Sequence, residues 1–240
     1  PDSHTNASPN ADANMGADAK RVVRRLHSER VEPDHPDRAE AEAFIAAVYR
    51  ERYGADLRSF LPHLIVFRDE TRALRAAVGL RYAREGRLFV ERYLDADAET
   101  EIARALRTPV PRERLVEVGN FASRTPGDAR EVIVRLTGLL HAEGLRWVLF
   151  AATRQLRNTF DRLHLQTVPL APADPARVQD SDNQWGRYYD AKPMVLTGDL
   201  ASGYAYLQRR ADAADPAERG WWLSSPLNAS PLNASCAAAT

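Results

Sequence analysis

The sequence predicts one α/β domain, a mixed sheet with helices on both faces, set between two polar ends. Three observations carry this expectation. Apolar residues recur at helical spacing in some stretches and run continuously or alternate in others. An early pair of strand-like runs lies close together, as antiparallel neighbours do, whereas the later chain alternates strand, helix, strand, helix and so needs crossovers. A chain of 240 residues with 44% hydrophobic content can also enclose one good-sized core.

Residues 1–20 are rich in Asn, Asp, Ala and Ser without apolar periodicity. They could not bury enough surface to offset the entropy of ordering and read as a disordered tail. Residues 208–240 read as a low-complexity tail containing a duplicated PLNAS, in which the paired Trp221 and Trp222 are expected to dock on the domain. That leaves 21–207 as the domain. Within it, Asp37–Tyr53 places Ala41, Phe44, Ile45, Val48 and Tyr49 on one face of an amphipathic helix. His63–Arg68 (HLIVFR) and Ala76–Tyr82 (AAVGLRY) read as neighbouring strands. Leu88–Leu94 (LFVERYL) is either a third strand or the approach to a helix from about Ala96 to Arg107, which Pro109 and Pro111 end. Leu115–Ala122 (LVEVGNFA) is a strand, Ser123–Asp128 (SRTPGD) a loop, and about Ala129–Glu143 a helix closed by Gly144. The apolar WVLFAA is a strand and TRQLRNTFDRLHL a helix with Leu156, Phe160 and Leu163 in step. Late strands are expected near Gln166–Leu170 and Pro193–Thr197.

Composition excludes several classes. Lys plus Arg and Asp plus Glu are both 33, so no overall field draws the chain to nucleic acid or to an anionic membrane. The single cysteine, Cys236, can close no internal disulfide, and the six histidines show no H-x-x-x-H or H-E-x-x-H spacing, so no metal site is expected. The longest apolar run, Trp147–Ala152, is far below the roughly 20 residues that cross a bilayer. No stable membrane insertion and a cytoplasmic location are the expectations.

The chemistry concentrates in VEVGNFASRTPGDAREVIVRL, where a strand leads through a Gly-containing turn into a helix start. Free amides and the helix dipole at such a start attract phosphate. Arg124, Gly127 and Ala129 spell R-x-x-G-x-A, which resembles the acyl-CoA pyrophosphate loop of the GNAT acyltransferases. Arg124 would add a charged fork and Gly127 would allow close backbone approach. Pro126 and Asp128 depart from that pattern: one removes an amide, and the other places a carboxylate where phosphate should sit, unless Asp128 is the N-cap. A carrier-protein thioester, which lacks the nucleotide, would need the loop less.

Val116–Ala122 (VEVGNFA) is similar to the strand W-E-x-S-R-F-A of acyl-homoserine-lactone synthases, with Glu117 at their acidic position and Asn120 in place of their arginine. On a larger scale, LFVERYLDADAETEIA, LVEVGNFASR, WVLFAATRQLRNTFDRLHLQ and WGRYYDAKPMVLTGDL resemble the thermostable hemolysin family over roughly residues 35–205. That resemblance implies a GNAT-like, mostly antiparallel sheet and adds Glu91, Tyr93, Leu94, Glu117, Asn120 and Ser123 as positions fitting the family pattern. Asn158 fits the pantetheine-contacting asparagine of GNAT enzymes, but their later acidic tyrosine is Leu165 here, leaving His164, Tyr188 or Tyr189 as substitutes. The resemblance therefore implies an N-acyltransferase that moves an acyl group from acyl-CoA or an acyl carrier protein to a small-molecule amine. Glu117, Asn120, Glu91 and Tyr188 are its candidate catalytic residues. Ser123, Arg124, Gly127, Ala129 and Asn158 are the candidates for binding the donor. The other readings are a membrane-active hemolysin and a non-catalytic acyl-ligand binder. An amine reaches the site mostly protonated, which calls for a base, and Glu117 serves unless it is simply the outward residue of an alternating strand. Limited proteolysis is expected to trim residues 1–20 and 225–240 before any cut falls inside 40–200; early cuts inside that span would move the domain boundaries.

Overall fold

The computed structural model describes residues 26–178 and 184–213. The expectations for residues 1–20, for Trp221 and Trp222, and for Cys236 lie outside the described residues. In chain order the elements are β1 (His27–Val31), α1 (Arg38–Tyr53), β2 (His63–Arg68), β3 (Leu74–Tyr82), α2 (Ala98–Leu106) and β4 (Leu115–Ser123). There follow α3 (Pro126–Ala142), β5 (Trp147–Ala152), α4 (Arg154–Leu163), β6 (Val168–Pro172), β7 (Met194–Asp199) and α5 (Leu200–Ala213). The strands form one sheet in the order β1-β2-β3-β4-β5-β7-β6. Every pair is antiparallel except β4 with β5, and α3 supplies the crossover that a parallel pair requires.

Both faces of the sheet are covered, which is why HLIVFR is apolar throughout. In β2, Leu64 and Val66 pack with the Ala41, Phe44, Ile45 and Val48 stripe of α1. Ile65 and Phe67, pointing the other way, pack with Val132, Leu136 and Leu140 of α3. Gly54, with φ 65°, closes α1 by donating its N–H to the Arg50 carbonyl at 2.9 Å.

Some elements differ from the sequence expectation. Of the two readings of LFVERYL, the structure has the approach to a helix rather than a strand: Val90–Tyr93 is a short 3-10 turn, because the carboxylates of Glu91 and Glu117 accept the N–H groups of Leu88, Phe89 and Val90 that a strand would have paired. The helix after SRTPGD starts at Pro126 rather than Ala129, and its N-cap is Thr125, not Asp128. Proline is well suited to that first helical position. Two elements carry too weak a pattern to foresee. β1 (HSERV) is a polar edge strand with one buried end, and α5 buries only Leu200, Leu207 and Ala211. The latter runs to Ala213, past the expected boundary at 207.

β4 carries a bulge. Ala77 pairs with Ala122 and Gly79 with Gly119, so three steps of β4 oppose two of β3. Asn120 absorbs the extra residue with a left-handed φ of 48°, a conformation asparagine tolerates. Its Oδ1 accepts the Leu61 N–H at 2.8 Å. A Cβ on Gly79 would lie 2.8 Å from that Oδ1 and 2.9 Å from Leu61 Cβ. Gly79→Ala is therefore expected to cost about 1–3 kcal/mol in denaturant unfolding. Gly119→Ala, whose added methyl would press on the movable Leu61 Cδ1 at 2.9 Å, should cost less; equal losses would show that the bulge does not constrain Gly79.

Candidate active site

The β4–β5 ladder consists of Leu115 with Trp147, Val116 with Val148, and Glu117 with Leu149. Beyond that third pair the ladder ends, and residues of both strands line a cavity of about 1020 Å³. The cavity passes through the sheet. On the α3 side its wall is apolar, built from Val118, Ile133, Leu136, Leu140, Phe150 and Leu200. The Thr137 hydroxyl on this side donates to the Ile133 carbonyl at 2.8 Å. On the other face stand Arg81, Phe89, Tyr93, Glu117, Trp185 and Tyr188. Thr153, Gln155 and Asn158, at the start of α4, form a third portion.

Glu117 is 2% exposed. Its Oε2 accepts the Phe89 N–H at 2.7 Å and its Oε1 the Val90 N–H at 3.2 Å. Burial raises its pKa to about 7, against the opposing pull of those two amides and of Arg81. Each oxygen keeps a second lone pair, so the amides do not use up the carboxylate as a proton acceptor. Tyr188 also lines the cavity, and burial among Tyr49, Tyr53 and Tyr189 holds its pKa well above the usual tyrosine value.

Glu91 stands apart from the cavity lining. It accepts the Leu88 and Ala98 N–H groups and pairs with Arg112 at 2.7 Å. Although burial pushes its pKa up, the Arg112 hydrogen bond and the two amides outweigh burial and leave it lowered. Asn120 lines the cavity, but its side-chain oxygen is committed to Leu61. Ser123, Ala129 and Asn158 all line the cavity, and Arg52, itself a lining residue, donates to the Ser123 carbonyl. His164 ends α4 in a left-handed conformation, away from the lining residues.

Arg124 and Gly127 do not join the others. Arg124 Nε donates to the Leu74 carbonyl at 3.1 Å, and its guanidinium lies over the Phe44 ring at 5.2 Å. The start of α3 is already satisfied from within. Thr125 and Asp128 exchange side-chain and backbone hydrogen bonds as a capping box, and Arg75 pairs with Asp128 at 3.0 Å. The helix start where R-x-x-G-x-A was expected to hold a phosphate is occupied by the chain's own carboxylate, Asp128.

Of the aromatic wall, the sequence singles out Tyr188 and Tyr93, whereas Phe89, Trp185, Tyr49 and Tyr53 were not expected at a site. Residues 184–188 are fastened to the end of α1 by Asp56 N–H to the Gln184 carbonyl and Arg187 N–H to the Tyr53 carbonyl, each 2.7 Å. Gly186, with φ 52°, lies so close that a Cβ would meet the Tyr53 carbonyl oxygen at 2.4 Å. This brings Tyr188 to 5.3 Å from Tyr53, and Trp185 to 5.8 Å from Phe89, between ring centroids. The available signal was WGRYYD itself, a glycine among aromatic residues. Arg81 was also missed; it lies directly opposite Glu117 in the β3–β4 register.

The family described as Thermostable hemolysin matches residues 31–204. The chain belongs to that family. Among solved structures, the fold of this thermostable hemolysin family member is similar to TofI in an apo form, with TM-score 0.53 and 15% identity, covering 80% of this chain and 98% of that one. It is also similar to FeeM, an N-acyl amino acid synthase from uncultured soil microbes, with TM-score 0.53 and 13% identity over 80% and 99% of the two chains. The CoA-dependent acyl-homoserine lactone synthase BjaI, solved with SAM and isopentyl-CoA, gives TM-score 0.52 and 12% identity over 78% and 89%. The fold is thus GNAT-like. No curated protein sequence matches the chain significantly. Among the described residues no helix is long and apolar enough to cross a membrane, and no group of three His, Cys, Asp or Glu could hold a metal ion.

Because its folded pKa is raised to about 7 from 4.5, Glu117 holds its proton more tightly in the folded chain than in the unfolded one. The stability linked to it is full below pH 4.5 and is lost as pH rises through about 7, a change on the order of 3 kcal/mol. Thermal unfolding followed from about pH 5 to 8 should show this decline in the wild type and not in Glu117→Gln. Any constant cost of turning an amide NH₂ toward Phe89 or Val90 would offset the curve without changing its slope. Parallel curves would mean that Glu117 does not titrate in that range.

Proposed function

We propose that the protein is an N-acyltransferase that moves an acyl group from a thioester to the amine of a small molecule. The observation that carries this reading is the division of one through-sheet cavity into an apolar wall on one face and a buried carboxylate on the other. The apolar wall fits an acyl chain: Ala129 to Leu140 span about 16 Å of helix, and each buried methylene contributes about 0.8 kcal/mol. The similarity to FeeM and BjaI, described as N-acyl amino acid and acyl-homoserine lactone synthases, supports the same chemistry.

In this mechanism the thioester carbonyl lies at the divergence of β4 and β5, where backbone N–H groups of the 118–123 edge stabilise its developing negative oxygen. Glu117 takes a proton from the amine, whose nitrogen attacks the carbonyl carbon. The C–S bond then breaks as the nitrogen gives up its second excess proton, which passes to the leaving thiolate through water, while the first remains on Glu117 until solvent removes it. Tyr188, kept neutral by burial, is a hydrogen-bond donor to that region. Asn120 acts through the shape of the bulge, and Glu91 is a positioning residue for the 3-10 turn. Asn158, Ser123 and Ala129 receive the pantetheine arm. The self-satisfied start of α3 leaves little need for a nucleotide pyrophosphate, so an acyl carrier protein is the favoured donor over acyl-CoA. Both donors are intracellular, which fits a cytoplasmic enzyme.

The test is thiol release from acyl-CoA and acyl-carrier thioesters of graded chain length, each with pooled amines. Amine-dependent release is expected, with Glu117→Gln reducing turnover by about 10²- to 10⁴-fold while donor binding survives. Raising the pH should partly restore that variant, since more of the amine is then neutral. Donor binding without any release would indicate a non-catalytic acyl binder, and donor-independent leakage of liposomes a membrane-active protein; either result overturns the proposal.

A further inference from the structure

The acceptor half of the cavity carries an imbalance of charge. Its titratable lining near Glu117 comprises Arg81, Arg87 and Arg92 on β3 and the segment that follows it. None of the three makes a salt bridge among the described residues. Arg81 donates one hydrogen bond, to the Arg87 carbonyl at 3.2 Å, and Arg92 rests over the Phe89 ring at 5.0 Å. Some other guanidinium groups find carboxylates, such as Arg30 with Glu143 and Arg112 with Glu91 and Glu99, whereas Arg52 and Arg162, at other parts of the cavity lining, make no salt bridge among the described residues. What distinguishes Arg81, Arg87 and Arg92 is their place: three guanidinium groups without carboxylate partners gather on the side of one cavity that holds Glu117.

Arg81 occupies the register position opposite Glu117, so the two side chains project from the same face about 5 Å apart at Cβ. Their environments differ in one respect. Glu117 is enclosed and held by two amides, whereas Arg81 retains donors that no protein group takes. A guanidinium fork matches a carboxylate or phosphate in two parallel hydrogen bonds. An amine whose nitrogen approaches Glu117 would therefore place a group one or two bonds away within reach of Arg81, with Arg87 and Arg92 at the rim. A cationic acceptor would meet the opposite field.

Resting on the N-acyl transfer reading, we infer that the acceptor is a primary amine bearing an anionic group close to its nitrogen, an α-amino acid in the first instance. Arg81, Arg87 and Arg92 bind that anion while the aromatic wall of Phe89, Tyr93 and Trp185 accommodates the remainder.

The test compares matched pairs in the full chain by equilibrium binding, with no donor present: phenylalanine against phenethylamine, leucine against 3-methylbutylamine, and O-phosphoethanolamine against ethanolamine. The anionic member of a pair should bind about tenfold or more tightly. A preference among the carboxylate pairs assigns the anion to carboxylate, and one confined to the last pair assigns it to phosphate. Arg81→Gln should remove the preference, and so should the double variant Arg87→Gln/Arg92→Gln, whose exposed side chains make misfolding a lesser concern. Equal binding within every pair, no binding of any member, or a preference that survives both variants overturns the inference. Acyl transfer to neutral amines at full rate would overturn it while leaving N-acyl transfer standing. An anion preference without thiol release from any donor would keep the anion site and defeat the enzyme reading.

Discussion

The site depends on where the parallel pairing of β4 with β5 stops. Three register pairs hold the two strands together, and past Glu117 and Leu149 the ladder offers their backbone groups no further partner, so a sheet edge opens in the middle of the sheet. Buried backbone groups need partners, and a cavity that admits water or a ligand is the means available. The Asn120 bulge strengthens the divergence. Before it, Val116 and Val118 face α3; after it, Ala122 faces α1, so the strand has exchanged faces within a few residues. The same opening joins two solvents. One side of the cavity belongs to the apolar cluster under α3, and the other to a wall of aromatic rings and arginines.

The start of α3 shows how one satisfied group can change a site. A strand, a turn and a helix start are where R-x-x-G-x-A would bind phosphate, and the chain does form all three. Asp128, however, lies three residues after the Thr125 cap, where its oxygen takes the Thr125 N–H, the Thr125 hydroxyl and Arg75. A carboxylate there is worth as much to the helix dipole as a bound anion. Arg124, with no anion to meet, turns to the Leu74 carbonyl and the Phe44 ring. The helix start is stabilised by the chain's own carboxylate, and the proposed preference for a donor held through its pantetheine arm rests on that.

Much of this was legible in the sequence. The α1 stripe, HLIVFR and WVLFAA were readable because burial on one face or both writes itself into periodicity. Glu117 was singled out by the resemblance of VEVGNFA to the acyl-homoserine-lactone synthase strand, and it is buried and lines the cavity rather than facing outward. What was not legible depends on side chains distant in sequence. LFVERYL was open between a strand and the approach to a helix, and the carboxylates of Glu91 and of Glu117, 27 residues from Val90, draw it into a turn. Arg124 fits its motif by spacing, yet a hydrogen bond across 50 residues to Leu74 decides its direction. Tyr49 read as a core residue of α1 and Tyr53 as the helix end; the close approach of Gly186 brings both into a cavity wall.

The two buried glutamates hold the same segment in different ways. Glu91 and Glu117 each accept two backbone N–H groups, and together they fix the segment from Leu88 to Ala98. Burial works against the charge of both. In Glu91 the directly bonded Arg112 reverses that effect, so this carboxylate stays charged. Glu117 lacks a bonded guanidinium, and the more distant Arg81 only moderates the effect of burial, leaving a pKa of about 7. One clamp on the turn is therefore permanently ionised, whereas the other titrates near neutral pH. When Glu117 takes a proton, its hold on Phe89 and Val90 weakens, but Glu91 still holds Leu88 and Ala98. In the proposed mechanism Glu117 can therefore change its charge while the loop carrying Phe89, Arg92 and Tyr93 stays in register with the cavity.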